Sequence, residues 1–409
     1  MDDVAAPAPP GVEFIALVAL TTSLVAMSID TMLPALGTMA RELGAAHEND
    51  RQLVLSAFFG GLSVGQLIYG PLSDQIGRRA GLFFGIGTFV LGTVLCAVTQ
   101  SFNWLLVGRV LAGFGAAGPR IVSIALVRDV YAGRGMARVM SFVSTVFILV
   151  PVLAPSIGQG VLAVSSWRAI FAALVLIAIG DFVWFALRQP ETLPPERRIR
   201  FSLANIGSGV AATFQSRITL GYMLATGVIF AAFINYLSTS QQVFTEQYGM
   251  GKLFPILFGL LASSIGVASF VNAKLVMRFG MRGLSRAALL CSSTLSVAVF
   301  GVTLLMHGHL PLVALMAYLL VAFFFNGILF GNFNARAMEP MGRIAGMAAA
   351  VIGSVSGLVA LVIGTPFGRL YDGTVLPLVG CFMTCALGAL ALTEWAERTG
   401  QAAVDSSAR

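Results

Sequence analysis

Apolar residues run through this chain in blocks of twenty or more, and polar residues are confined mostly to the gaps between them. At 1.5 Å rise per residue, a helix of about 20 residues crosses a hydrocarbon core of about 30 Å. The pattern predicts twelve such helices, over 12–36, 51–73, 80–99, 103–127, 139–162, 167–187, 217–242, 253–275, 284–306, 311–335, 345–367 and 374–393. Short connections force neighbouring helices to run antiparallel. The one long polar gap, "RQPETLPPERRIRFSLANIGSGVAATFQSR" from Arg188 to Arg217, is basic and punctuated by proline. It divides the chain into an N-terminal half (1–187), a linker (188–216) and a C-terminal half (217–409). The second part of the linker has the pattern of a short surface helix.

The composition agrees with the pattern. Of 409 residues 57% are hydrophobic and 11% charged, with a mean hydropathy of +0.88; a water-soluble domain carries about 25% charged residues. The first apolar block is too long for the core of a signal peptide. Cys96, Cys291, Cys381 and Cys385 lie inside apolar blocks without metal-ligand spacing, and read as small core residues.

Lys and Arg set the orientation. With the N-terminus in the cytoplasm, eighteen of the twenty-five fall on the cytoplasmic side and five outside, leaving Arg109 and Arg120 within the fourth span. Both termini are therefore expected inside. The asymmetry accounts for the net charge of +7 without a nucleic-acid partner.

Between the second and third spans lies "GPLSDQIGRR", Gly70 to Arg79. Gly70 and Gly77 suit close approach and a tight reversal. Arg78 and Arg79 anchor the cytoplasmic surface, and Asp74 can accept from an Arg or from a helix N-terminus. In the corresponding turn of the second half, "AKLVMRFGMR", Gly280 and Arg282 match Gly77 and Arg79, while Met277 replaces Asp74. Such a weak repeat fits parallel duplication of a six-helix unit.

That ten-residue turn resembles the signature of the major facilitator superfamily. "SIDTMLPAL", "GRVLAGFGAAG", "VRDVY", "PVLAPSIGQG", "SSWRAIF" and "ETLPPERR" make the chain similar to the Bcr/CflA-type drug:proton antiporters within it. The resemblance implies an all-α membrane protein of twelve transmembrane helices in two pseudo-symmetric six-helix bundles. It also implies a gating role for Gly70, Asp74, Gly77, Arg78 and Arg79, and a bend at the interface between halves for Pro155 and Gly158.

Asp30, about six residues from the outer end of span one, carries the strongest chemical signal. An acid in the hydrocarbon costs on the order of 3 kcal/mol on insertion scales and usually faces a cavity or partner. Arg109 enters span four to a matching depth, so an Asp30–Arg109 contact is expected if both spans line the cavity, as the family implies. Such a pair suits proton coupling and substrate binding. Arg120 and Asp181 share a depth nearer the cytoplasm; they either pair or leave Arg120 facing the cavity. The second half has amides and hydroxyls instead of buried acids. Asn235, Tyr236 and Asn326, with Phe233 and Phe324, are candidate substrate groups. Gln241, Gln242, Asn332 and Asn334 lie on the same spans.

His47, His307 and His309 are scattered, and no phosphate-binding GxxxxGK[ST] motif occurs. Neither an enzyme nor an ATP-driven pump is indicated, and no cofactor or metal. The reading is a monomeric secondary transporter of a bacterial inner membrane, exchanging small, largely hydrophobic compounds for protons. A carrier of a specific metabolite such as an amino acid or siderophore, and an uncoupled facilitator, are the alternatives.

Overall fold

The computed structural model describes residues 11–199 and 202–407; Arg200 and Arg409 of the charge count lie outside the described residues. Helix α1 (Val12–Asp30) begins the first half. It breaks where Pro34 lacks the N–H that would bond the Asp30 carbonyl, passes through a tight turn at Leu33–Ala35 and resumes as α2 (Leu36–Glu42). Asp30 therefore ends a helix in the middle of a span. Then follow α3 (Leu53–Ile76), α4 (Arg78–Val98), α5 (Phe102–Val130), α6 (Gly133–Val164) and α7 (Arg168–Arg188). The linker carries α8 (Leu203–Gln215), packed on the second half.

The second half comprises α9 (Arg217–Gln241), α10 (Phe254–Leu305), α11 (Leu312–Met338), α12 (Ala345–Arg369) and α13 (Leu376–Ser407). At 52 residues α10 is too long for one crossing, and Gly280 breaks it with φ 70° and ψ 160°. Among the described residues, eleven helices are long and apolar enough to cross a membrane. The break in α10 turns these into the twelve expected crossings.

Within the first half α5 packs on α3 and α4, α4 on α7, and α1 on α6; within the second, α9 packs on α12 and α13, and α10 on α11. The halves meet along α3 with α12 and α6 with α10. Leu91, Leu176 and Val362, each in an apolar helix, are 66%, 71% and 75% exposed. Outward-facing leucine and valine on this scale are the mark of a surface solvated by hydrocarbon.

The two signature turns share a backbone solution. Gly77 has φ 103° and ψ 156°, close to Gly280, so both halves reverse through a left-handed glycine. Their surroundings differ. The Glu191 carboxylate accepts from the backbone N–H of Arg78 (2.9 Å) and Arg79 (3.1 Å), capping α4, and a Cβ on Gly77 would overlap it. Nothing stands within 4 Å of the corresponding point at Gly280. Gly70 departs from expectation: the nearest atom to an added Cβ is 4.0 Å away, so no close approach requires a glycine there. Cys96, Cys381 and Cys385 are buried as expected, whereas Cys291 is exposed because it sits on the outer face of α10.

This contrast yields a measurable asymmetry. Both Gly77→Ala and Gly280→Ala place an L-residue at positive φ, a cost of roughly 1–2 kcal/mol. Gly77→Ala must also displace Glu191 from two backbone donors, so it should lower the unfolding midpoint in detergent by several degrees more than Gly280→Ala does. Equal losses, read by thermal unfolding of the purified variants, would remove Glu191 from the account.

Candidate functional site: the seam between the halves

Four charged side chains stand at membrane depth in the first half, and the tertiary structure treats each differently. Asp30 is 5% exposed, and among the described residues no donor meets its carboxylate. Across the seam its charge is felt at the Tyr236 hydroxyl, with no hydrogen bond between them. Arg109 is fully buried, but the expected contact with Asp30 is not made. Its guanidinium bonds the Ser28 hydroxyl (3.0 Å), the Ser28 carbonyl (3.2 Å) and the Val54 carbonyl (3.3 Å), and lies 4.4 Å over the Phe58 ring. Arg109 thus ties α5 to α1 and α3, two residues before Asp30. The cause is local: Ser28 and Asp30 are two residues apart on α1, about 200° round the helix, so with Ser28 turned to Arg109 the Asp30 side chain faces away.

Arg120 and Asp181 do not pair either. Asp181 is buried and accepts from the Thr21 hydroxyl at 2.9 Å, joining α7 to α1. Arg120 is exposed and has no hydrogen-bonding or ionic partner among the described residues.

The facing wall is aromatic with unpaired polar atoms set into it. Tyr236 stacks on Phe258 (5.7 Å) and meets Phe323 edge-on (4.7 Å), while its hydroxyl has no hydrogen-bond partner. Both polar atoms of the Asn235 amide and the Asn326 nitrogen are likewise buried without partners. Each such group costs about 1–3 kcal/mol of desolvation, so a wall carrying several is suited to a polar guest or water. Phe233 stacks on Phe230 at 5.9 Å. Phe324 is misplaced by the sequence reading. It shares a helix face with the exposed Val313 and Val321, and Phe323, one residue earlier, makes the contact with Tyr236. Asn332 exchanges reciprocal amide bonds with Asn272 (2.9 and 3.1 Å) and joins α11 to α10.

At the end of the bundle opposite the linker, polar side chains cross the seam. Arg51 bonds Glu246 twice (2.5 and 3.0 Å) and Gln241 once (3.3 Å). Gln52 donates to Gln242, which donates to Asn49, both at 2.9 Å. Asn49 in turn donates to the carbonyls of Arg369 and Tyr371, and Arg369 pairs with Asp50 at 3.0 Å. A polar basin of about 680 Å³ lies beside this latch, lined in part by His47, Glu48 and Asp372. Gln241 and Gln242 therefore belong to the latch rather than to a binding wall. Gly158 packs so closely on the Thr31 carbonyl that a Cβ would overlap it. Pro155 lies within the unbroken α6, one turn before this contact.

At the linker end the strong contacts stay within a half. Arg78 pairs with Asp74 (2.5 Å) and Asp129 (2.8 Å), and Arg79 donates to the Ala186 carbonyl. In the second half Glu397 accepts from Arg336 and Tyr222 and lies 3.4 Å from Arg282. Among the described residues no hydrogen bond or ion pair joins the halves at this end. Hydrogen bonds and ion pairs thus cross the seam at one end and, among the described residues, not at the other, where a Cβ on Gly346 of α12 would stand 3.9 Å from the Arg128 guanidinium of α5. Asp129, Glu191 and Glu397 were not singled out from the sequence. The available signal was an acid near the basic end of a span, and an acid following a span close to a signature turn.

Comparison with known proteins agrees with the geometry. The Major Facilitator Superfamily model matches residues 18–365. An uncharacterized MFS-type transporter, YdgK of Bacillus subtilis, is 32% identical over 96% of this chain and 98% of its own length. A bicyclomycin resistance protein homolog of Haemophilus influenzae is 28% identical over 83% of this chain and 84% of its own. The multidrug resistance protein MdtL of Klebsiella pneumoniae is 27% identical over 79% and 80%. A peptide transporter POT structure superposes with a TM-score of 0.74 at 14% identity, covering 97% of this chain and 96% of that one, which speaks to fold alone. With the family model matching most of its length and a relative above 30% identity covering nearly all of it, the chain belongs to the major facilitator superfamily of membrane transporters.

Proposed function

We propose that this chain is a proton-coupled exporter of small, largely hydrophobic compounds in a bacterial inner membrane. It works as a monomer of two bundles, 1–187 and 217–409, with both termini cytoplasmic. The excess of Lys and Arg on the linker side supports that orientation, and the resistance proteins among its relatives support export of toxic compounds. On this orientation the latched end faces outside and the cavity opens inward.

The observation that carries coupling is the Asp30 carboxylate, held at the seam without a donor of its own. Protonation and a bound substrate are alternative ways of offsetting such a group, so one displaces the other. Arg109 fixes α1 through Ser28 and so holds Asp30 at the seam. Tyr236 brings the second bundle into the same exchange, since closing or opening the seam changes the environment of both groups. Opening outward then requires the Arg51–Glu246 latch to part while Asp74, Arg78 and their counterparts meet the other bundle, an alternating movement around a midplane site.

Asp30→Asn should fold and reach the membrane yet fail to release protons when substrate is added to the purified protein in detergent. Proton release equal to the parent's would move coupling away from Asp30. Arg51→Gln tests the latch: spin labels at Ala46 and Lys252, both exposed and on opposite halves, should show a greater share of long distances than in the parent. An unchanged distance distribution would show that Arg51 does not hold the outer end shut.

A further inference from the structure

Arg120 is a cation at membrane depth to which neither the fold nor proton coupling gives a role. It lies eleven residues on from Arg109, only about 20° round α5, and therefore on the inward-turned side. The outward face of α5 is marked by Trp104, Val107 and Val110, 47–59% exposed, and Arg120 points about 140° away from its centre. It is nevertheless exposed, as is Ile124 one turn further along. A residue exposed on the face turned away from lipid lines the opening between the halves.

Among the described residues no acid pairs with it. The nearest candidate by depth, Asp181, is buried and bonded to Thr21. Within about two turns of Arg120's depth, the other half contributes an aromatic surface instead. Phe230 stacks on Phe233 and meets Phe330 edge-on at 5.9 Å, and Phe59 of the first half reaches across to Phe230 at 5.6 Å. One wall therefore offers a guanidinium able to grip a carboxylate with two parallel hydrogen bonds, and the other a flat apolar surface.

We propose that Arg120 is the headgroup site of the inward-facing cavity, and that the preferred substrates are amphipathic anions, with an aromatic or bulky apolar body and a carboxylate or similar group. This rests on the exporter reading for the cavity's role as a substrate path. It narrows the substrates from hydrophobic compounds in general to those with one negative charge at one end. Such a molecule supplies the counter-charge Arg120 lacks and covers the rings opposite.

Binding to the purified protein tests this, with a panel of naphthalene and biphenyl carboxylates and their matched primary carboxamides followed by calorimetry. The parent should bind at least one carboxylate about tenfold or more above its amide, equivalent to about 1.4 kcal/mol. Arg120→Gln should erase the preference by weakening the carboxylates about tenfold more than the carboxamides, and Arg120→Lys should keep part of it. As a check independent of folding, Arg120→Cys in a Cys291→Ser background is modified after purification. A cationic methanethiosulfonate should restore the preference and a neutral one should not. Absence of any carboxylate preference in the parent, or its survival in Arg120→Gln, overturns the assignment. The exporter reading is decided separately by proton release in Asp30→Asn, where Arg120 is intact.

Discussion

A charge placed in hydrocarbon has to be offset by protein groups, and Arg109 shows how this structure meets that demand. With no exposure to solvent, its guanidinium takes two carbonyls, one hydroxyl and an aromatic face, drawn from two neighbouring helices, α1 and α3. Removing any of those helices would leave a buried cation unsatisfied, so α1, α3 and α5 are held as one block. Asp181 and Thr21 do the same more modestly for α1 and α7. These bonds tie α1 to α3, α5 and α7 within the first bundle.

Some buried polar groups keep no partner, among them the Tyr236 hydroxyl and the Asn235 amide on α9, and others lie inside the bundles, as at Tyr69, Ser123 and Ser293. A group inside a bundle carries that cost in every state. At an interface between two moving bundles the partner can be exchanged, for water, proton, substrate or the opposite bundle.

The two ends of the molecule follow the same division. Arg51, Asn49 and Arg369 spend their hydrogen bonds across the seam. Arg78 and Glu397 spend theirs within a half. The corresponding turns solve the same reversal with Gly77 and Gly280 but balance their charges with opposite signs: an arginine between two acids in the first half, and an acid among arginines in the second. The two turns share the backbone geometry that glycine permits, while their charge patterns differ.

Twelve crossings and the signature turns were legible in the chain because each depends on local quantities: apolar length, and glycine in a charged reversal. Even the break in α10 follows from its length and Gly280. Partnerships were not legible. Asp30 and Arg109 match in depth yet stay apart, because Ser28 takes the guanidinium and Asp30 stands about 200° round α1 from it. Arg120 and Asp181 match in depth too, and Thr21 takes the acid. Phe323 rather than Phe324 meets Tyr236 because one residue is 100° of helix. Depth is a one-dimensional property that the sequence carries directly. Azimuth and the choice among several nearby partners arise only when the helices pack, and at a seam that opens and closes they decide which groups remain free to act.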